Sequence, residues 1–272
     1  MTSITFLGQG AMDSRMADRL EAAGHDVTRW NRSGATQTPC KAVADADIVI
    51  AMLRDDEASR SVWLDGETGA LAGVDPGAIA IESSTISRDH AQALGEAVVA
   101  AGVHFLDAPV LGSRPQAEAG QLIHLIGGDE GDITQVQPVL AAIGTKQLHA
   151  GPVGAGASLK LIANTLFGIQ VVAMAKLIGR MKDLGLDPAT AIGQLSETPL
   201  LSPAAQGAVG LMLSGKDDPM FPVELVAKDF GYAIDGQPQA MPLASAALNV
   251  FETAAAKGLA DENLTAVRKI YQ

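Results

Sequence analysis

Through its first half the chain alternates short apolar runs with amphipathic stretches. Apolar runs at 4–7, 27–31, 46–53, 78–82, 104–108 and 121–126 read as strands, and the run at 46–53 is apolar enough to be buried. A helical stretch opens after Gly8-Gln9-Gly10 and stops before Gly24; another covers 88–101. Gly127-Gly128 closes the last strand. Strands alternating with helices predict βαβ units and a mostly parallel sheet.

The pattern changes after about Gly156. Residues 158–184 are apolar on nearly every face, as in a helix buried inside a domain or a dimer. Gly185 stands at its C-cap. Asp187-Pro188 and Ser202-Pro203 each set a capping side chain before a proline suited to the first helical position. Phe221-Pro222 opens another helix, and Pro242 opens one that ends at Gly258. This half carries no strand signal. The fold class is therefore α/β, a doubly wound sheet followed by an all-α domain, the two joined by a long helix.

Composition narrows the function classes. At 272 residues the chain has room for about two domains. Hydrophobic residues are 47% and aromatics only 4%, so the core is aliphatic with Met as filler. A net charge of -12 argues against nucleic acid, which needs a basic face, and against an anionic membrane surface. The lone Cys40 excludes a disulfide framework and a Cys-based metal site. His25, His90, His104, His124 and His149 show no ligand spacing, so no metal is expected. Met1-Thr2-Ser3-Ile4-Thr5-Phe6 has no basic region, so no signal peptide is expected. The uncharged apolar run 161–175 is short for a membrane span of about 20 residues. A soluble, cytoplasmic protein is expected.

Two places carry chemistry. Gly8-Gln9-Gly10-Ala11-Met12 follows the first strand and opens a helix, so its backbone suits a pyrophosphate at a helix N-terminus. Position 13 is Asp where such a fingerprint has Gly or Ala; the first helical turn favours acids, and Asp13 is expected to face outward. The second strand ends in Trp30-Asn31-Arg32-Ser33, with no acid to take ribose hydroxyls. Arg32 suits a 2'-phosphate, and Ser33 can donate to it, so NADP(H) is the expected cofactor. A Rossmann-type domain at 1–156 and an all-α substrate and oligomerisation domain at 157–272 follow. The second place is Gly154-Ala155-Gly156-Ala157-Ser158-Leu159-Lys160. A glycine-broken loop opens a long helix there, and Lys160 near its start feels the helix dipole and partial burial. Both lower a lysine's proton affinity, which suits an acid/base. Asn164 lies one turn on, on the same face.

Taken in order, these motifs resemble the β-hydroxyacid dehydrogenase family over nearly the whole chain. The resemblance runs from the Gly8 turn and Asn31-Arg32-Ser33 through Glu82-Ser83-Ser84-Thr85-Ile86-Ser87 and Asp107-Ala108-Pro109-Val110. It continues through Gly154-Ala155-Gly156 with Lys160 and Asn164, and ends at Lys228-Asp229. It implies that Lys160 is the catalytic acid/base and that Leu111, Gly112, Ser113 and Asn164 line the substrate. It places Gly8, Gly10, Ala11, Met12, Asn31, Arg32, Ser33, Met52, Leu53, Ser84, Thr85 and Lys228 around the cofactor. Residues 112–122 look most like the glyoxylate/succinic semialdehyde reductase branch. The implied activity is reversible NADP(H)-dependent reduction of a small carbonyl acid or semialdehyde, in a homodimer or homotetramer.

Four departures stand out: Asp13 for glycine, Leu111 for a serine, Ala163 for a second asparagine, and a segment 34–39 too short for the usual helix after the second strand. Two other readings stay open. An imine reductase-like enzyme shares the two-domain plan, though Lys160 speaks against it. A non-catalytic NADP-binding or scaffold relative accounts for Asp13 and Leu111 together.

Overall fold

The computed structural model describes residues 1–34 and 36–271. It divides into two compact units, Met1–Lys160 and Leu161–Gln272. The boundary falls at 160/161 rather than 156/157, inside a helix. The reason is local: the first turns of that helix bond back to strands of the first unit.

In the first unit, β1 (Ser3–Leu7), β2 (Asp26–Trp30), β3 (Ile48–Ala51), β4 (Ile79–Glu82) and β5 (His104–Asp107) run parallel. The short β6 (Val110–Leu111) and β7 (Leu122–Gly127) pair antiparallel, and β8 (Gly144–Gly151) runs parallel to β7. The sheet order is β2-β1-β3-β4-β5-β7-β6, with β8 on β7. Successive residues of the central strands alternate between two cores. Ile4, Phe6, Ile48, Ile50, Ile79, Ile81 and Leu106 face one core, which α1 (Asp13–Ala22) and α6 (Glu130–Ile143) cover. Leu7, Val49, Ala51, Ala80 and Phe105 face the other, with Trp63 of α3 (Asp56–Leu64) and Leu94 of α4 (Arg88–Ala100). Burial on both faces is what the near-continuous apolar runs encode.

Three sequence expectations shift. β3 is shorter than 46–53; its pairing with β1 and β4 stops at Ala51, which leaves Met52 and Leu53 in the loop beyond. After β2 the chain keeps one helical turn, α2 (Pro39–Ala42), capped by Thr38; within 34–39, Ala35 lies outside the described residues. β6 and β8 were not foreseen: β6 has two residues, and β8 reads Gly-Thr-Lys-Gln-Leu-His-Ala-Gly, without an apolar run, because it pairs on one side only.

α7 (Ala155–Asp183) begins three residues before the expected start. By length and composition it could cross a membrane. In the second unit it instead supplies Val171, Met174, Ala175 and Ile178 to a core with Val226 and Phe230 of α10 (Val223–Ile234) and Phe251 of α11 (Pro242–Ala254). A methyl group on Gly168 would stand 2.4 Å from the Phe230 ring, so only glycine lets α7 and α10 meet there. The helix is not buried all round: Ile162 (62% exposed), Leu166 and Leu177 face outward. α8 (Pro188–Ser196) and α9 (Pro203–Ser214) start at the prolines, capped by Asp187 and Ser202 as their sequence predicts. α11 passes after Ala254 into a wider helical turn, Ala255–Leu259, and Gly258 within that turn breaks the helical path with φ +85°, where the sequence places the helix end.

Candidate active site

The turn after β1 is shaped by close backbone approach. Gly8 has φ +131°, and a Cβ there would sit 2.3 Å from the Met52 carbonyl oxygen. Gly8 N–H donates to the Trp30 carbonyl (2.8 Å), and Met52 N–H to that of Leu7 (2.9 Å). The ends of β1, β2 and β3 are thereby locked together where the chain order reverses, which is where α/β sheets bind ligands. Gly10 and Ala11 are exposed at the opening of α1; Arg32 and Ser33 are exposed just past β2. Asn31 spends its Oδ1 on the Gly34 N–H (2.5 Å), which holds that turn closed.

Asp13 contradicts its expected outward aim. It is 5% exposed and folds under the turn, with Oδ2 2.4 Å from where a Cβ on Gly8 would stand and Oδ1 3.0 Å from that of Gly10. Burial pushes its proton affinity above the ordinary aspartate value, against the backbone N–H groups of Gly10, Asp13 and Ser14, which favour its charge. The physical reason is helical phase. The buried residues of α1 are Asp13, Met16, Ala17 and Leu20, a single inward stripe.

A second cluster follows β4. Glu82 is fully buried and accepts from Ser59 Oγ (2.7 Å), Trp63 Nε1 (3.0 Å), Ser84 N–H (3.0 Å) and Ser84 Oγ. Ser84 Oγ in turn accepts the Leu53 N–H at 2.6 Å. One carboxylate thus fixes Ser84 and Leu53, both expected beside the cofactor, and Thr85 follows half-buried. Burial raises the Glu82 proton affinity, against four hydrogen bonds that lower it.

The third cluster surrounds Lys160. Asp107, at the end of β5, accepts from the N–H groups of Gly154 (2.8 Å) and Ala157 (2.7 Å) and so caps the start of α7. A methyl group on Gly156 would stand 2.6 Å from the Asp107 carbonyl oxygen, which makes glycine necessary there. Lys160 is the sixth residue of α7, beyond its first turn, so the helix dipole acts on it less than the sequence reading assumes. Its Nζ donates to the Val110 carbonyl at 2.7 Å. The next residue, Leu111, is half-buried and pairs with Ile123. Gly112 (φ +123°) turns the chain, and a Cβ there would lie 2.8 Å from the Leu122 side chain. The Ser113 N–H, expected to hold substrate, donates to Gln116 Oε1 at 3.0 Å in a capping box of α5 (Arg114–Ala119), so that donor already has an acceptor.

The first unit therefore gathers the turn residues, Arg32, Met52, Leu53, Ser84 and Thr85 at the C-terminal ends of the parallel strands, and Lys160 beside Leu111. In the second unit Asn164 is 6% exposed, and its Nδ2 donates to Asp229 Oδ2 at 2.6 Å. Lys228 Nζ stands 3.0 Å from Asp229 Oδ1, off hydrogen-bonding direction, and 4.9 Å above the Tyr232 ring. Sequence reasoning quoted Glu82 and Asp107 within motifs but gave them no role. A lone acid ending a buried strand was the available signal.

The turn shape, the acid-free end of β2 and the hydroxyl of Ser84 fit a nicotinamide dinucleotide; Asp13 is the one discord. Fold and site together define a dinucleotide-dependent oxidoreductase. Residues 3–151 match the profile described as the NAD binding domain of 6-phosphogluconate dehydrogenase. Residues 154–271 match that described as NAD-binding of NADP-dependent 3-hydroxyisobutyrate dehydrogenase. The chain belongs to the β-hydroxyacid dehydrogenase family.

Glyoxylate/succinic semialdehyde reductase 2, chloroplastic, of Arabidopsis thaliana is 33% identical, over 97% of this chain and 78% of that protein. Cytokine-like nuclear factor N-PAC of Mus musculus is 30% identical over 98% of this chain, which spans half of that longer protein. Among solved structures, the Mycobacterium tuberculosis 3-hydroxyisobutyrate dehydrogenase with L-serine superposes with a TM-score of 0.90. It is 29% identical and covers 100% of this chain and 99% of its own. A Streptomyces aurantiacus imine reductase, 20% identical at a TM-score of 0.65 over 99% of both chains, shares the fold.

Proposed function

We propose that this chain uses NADP(H) to reduce a small carbonyl acid or semialdehyde to the hydroxyacid, reversibly. The observation that carries the reading is Lys160, held by the Val110 carbonyl beside Leu111 and Gly112. A bound nicotinamide supplies or accepts the hydride. Lys160 supplies the proton to the carbonyl oxygen as negative charge develops on it, and takes it back in the oxidative direction. The Val110 carbonyl accepts one of the ammonium N–H bonds and so fixes the aim of Nζ. Asp107 acts through the helix: by capping α7 it sets where Lys160 stands. Arg32 and Ser33 would hold a 2'-phosphate, and Ser84 the neighbouring part of the cofactor. The outward apolar residues of α7 support a homodimer or homotetramer.

The test is turnover of NADPH with short semialdehydes and 2-oxoacids. Lys160→Met is expected to lower kcat about 10²–10⁴-fold while NADPH affinity stays within about twofold. Binding of NADPH with no turnover on any substrate would favour the non-catalytic reading. Near-normal activity of the variant would remove Lys160 as proton donor.

A further inference from the structure

The N-terminus of α1 already holds an anion of its own. α1 starts at Asp13, so the N–H groups of its first turn have no partner within the helix and are the ones a bound phosphate uses. Here the Asp13 carboxylate lies directly beneath Gly8 and Gly10, its Oδ2 and Oδ1 2.4 and 3.0 Å from where Cβ atoms on those residues would stand, and the nearby backbone N–H groups of Gly10, Asp13 and Ser14 favour its charge. A charged Asp13 carboxylate, itself only 5% exposed beneath this turn, repels a diphosphate that settles on it. The charged groups on surrounding elements turn to other partners. Arg15 Nη1 donates to the Ala11 carbonyl of the turn (2.6 Å) and its Nε lies 3.9 Å from Glu118 of α5, and Arg19 Nε donates to the Ala142 carbonyl of α6 (3.4 Å). Arg29 of β2 holds Asp18 and Glu21 of α1, and Arg54 after β3 lies beside Asp55. The influences on Asp13 are burial and backbone N–H groups.

We propose that Asp13 makes dinucleotide binding proton-linked: its carboxylate takes one proton from solvent as the diphosphate settles on the turn. Protonation removes the repelling charge and converts an acceptor into an O–H that can donate to a phosphate oxygen. The balance is simple: carboxylate plus one proton gives the carboxylic acid, with no change of oxidation state. The sign follows from linkage. The bound diphosphate raises the proton affinity of Asp13 above its free-protein value, so affinity for the dinucleotide rises as pH falls, up to tenfold per pH unit between the two. The inference rests on the dinucleotide reading above.

The probe is NADH, because it lacks the 2'-phosphate, whose second ionisation near pH 6 would confuse the slope. NADH fluorescence gives the Kd from pH 5.5 to 8.5 for the parent, Asp13→Asn and Asp13→Gly. Calorimetry of the parent in two buffers of different ionisation enthalpy counts protons without any variant. Expected are a parent Kd that weakens with rising pH, uptake of up to one proton, and variants that bind at least tenfold tighter at pH 8 with the slope lost. Equal slopes in all three proteins, or no proton uptake by the parent, would overturn the proposal alone. Failure of parent and both variants to bind NADH or NADPH at any pH would overturn the dinucleotide reading, and this proposal with it.

Discussion

Replacing Asp107 by Asn tests how the start of α7 is held. Asp107 has no exposed surface, and burial pushes its proton affinity up to about 6 from an ordinary 3.8, against the N–H groups of Ala157 and Gly154 that favour its charge. The folded-state value is raised, so the folded chain gains stability as pH falls through 6 and lacks that gain above it. The full difference between the two values is worth about 3 kcal/mol. Between pH 7 and pH 5 the same two values give about 1.3 kcal/mol. Asn does not titrate. Asp13 and Glu82, also raised, stay in both proteins and cancel. The unfolding free energy of the parent minus that of Asp107→Asn should therefore grow by about 1.3 kcal/mol from pH 7 to pH 5. Urea unfolding followed by tryptophan fluorescence measures it, since the chain's two tryptophans, Trp30 and Trp63, both sit in the first unit. A difference that stays flat, or shrinks as pH falls, would refute the assignment of a buried, reluctant carboxylate at this cap.

Arg32→Ala should erode the preference for NADPH over NADH by about 1–3 kcal/mol, read as the ratio of the two kcat/KM values; equal use of both cofactors by the parent contradicts the reading. Leu111→Ser should shift the ratio of kcat/KM values toward glyoxylate and succinic semialdehyde by about one to two decades, because a hydroxyl can bond a substrate carboxylate and leucine cannot. A ratio that moves toward bulkier substrates would mean that residue 111 does not face the substrate. Light scattering should give at least twice the 27.9 kDa chain mass at micromolar concentration; a monomer would leave the outward Ile162, Leu166 and Leu177 without the role assigned to them.

The fold was legible because its signals are periodic. Strands buried on both faces leave apolar runs, and prolines after capping residues mark α8 and α9. What was missed had no such signal. β8 pairs on one side only and needs no apolar run, and β6 is too short to show a period. Asp13 is different, because its aim was written in the chain: 13, 16, 17 and 20 form one helical face, and Met16, Ala17 and Leu20 are plainly apolar. The general preference for acids in a first turn points outward, and here the local phase prevails over it. Within the site, Lys160 and the turn glycines stood out by spacing. The buried anchors Glu82 and Asp107 did not, because a carboxylate's partners here are backbone N–H groups and distant hydroxyls, which leave no mark on neighbouring residues.

The two rims of the sheet also bear on how this protein behaves in crowded solution. β2 closes one side and β8 the other. An open strand edge is a template on which a second chain can add, and long flat apolar edges seed aggregates. β2 alternates exposed and covered positions, begins with Asp26 and carries Arg29, whose guanidinium is tied to Asp18 and Glu21. β8 offers Thr145, Lys146 and His149 to solvent, with Leu148 as its one large exposed apolar side chain, and is bounded by Gly144 and Gly151. Any strand laid against either rim would have to strip water from these charged and polar groups, so the polar edges that hid β8 from the sequence pattern also keep a strongly aliphatic sheet from growing beyond its own chain.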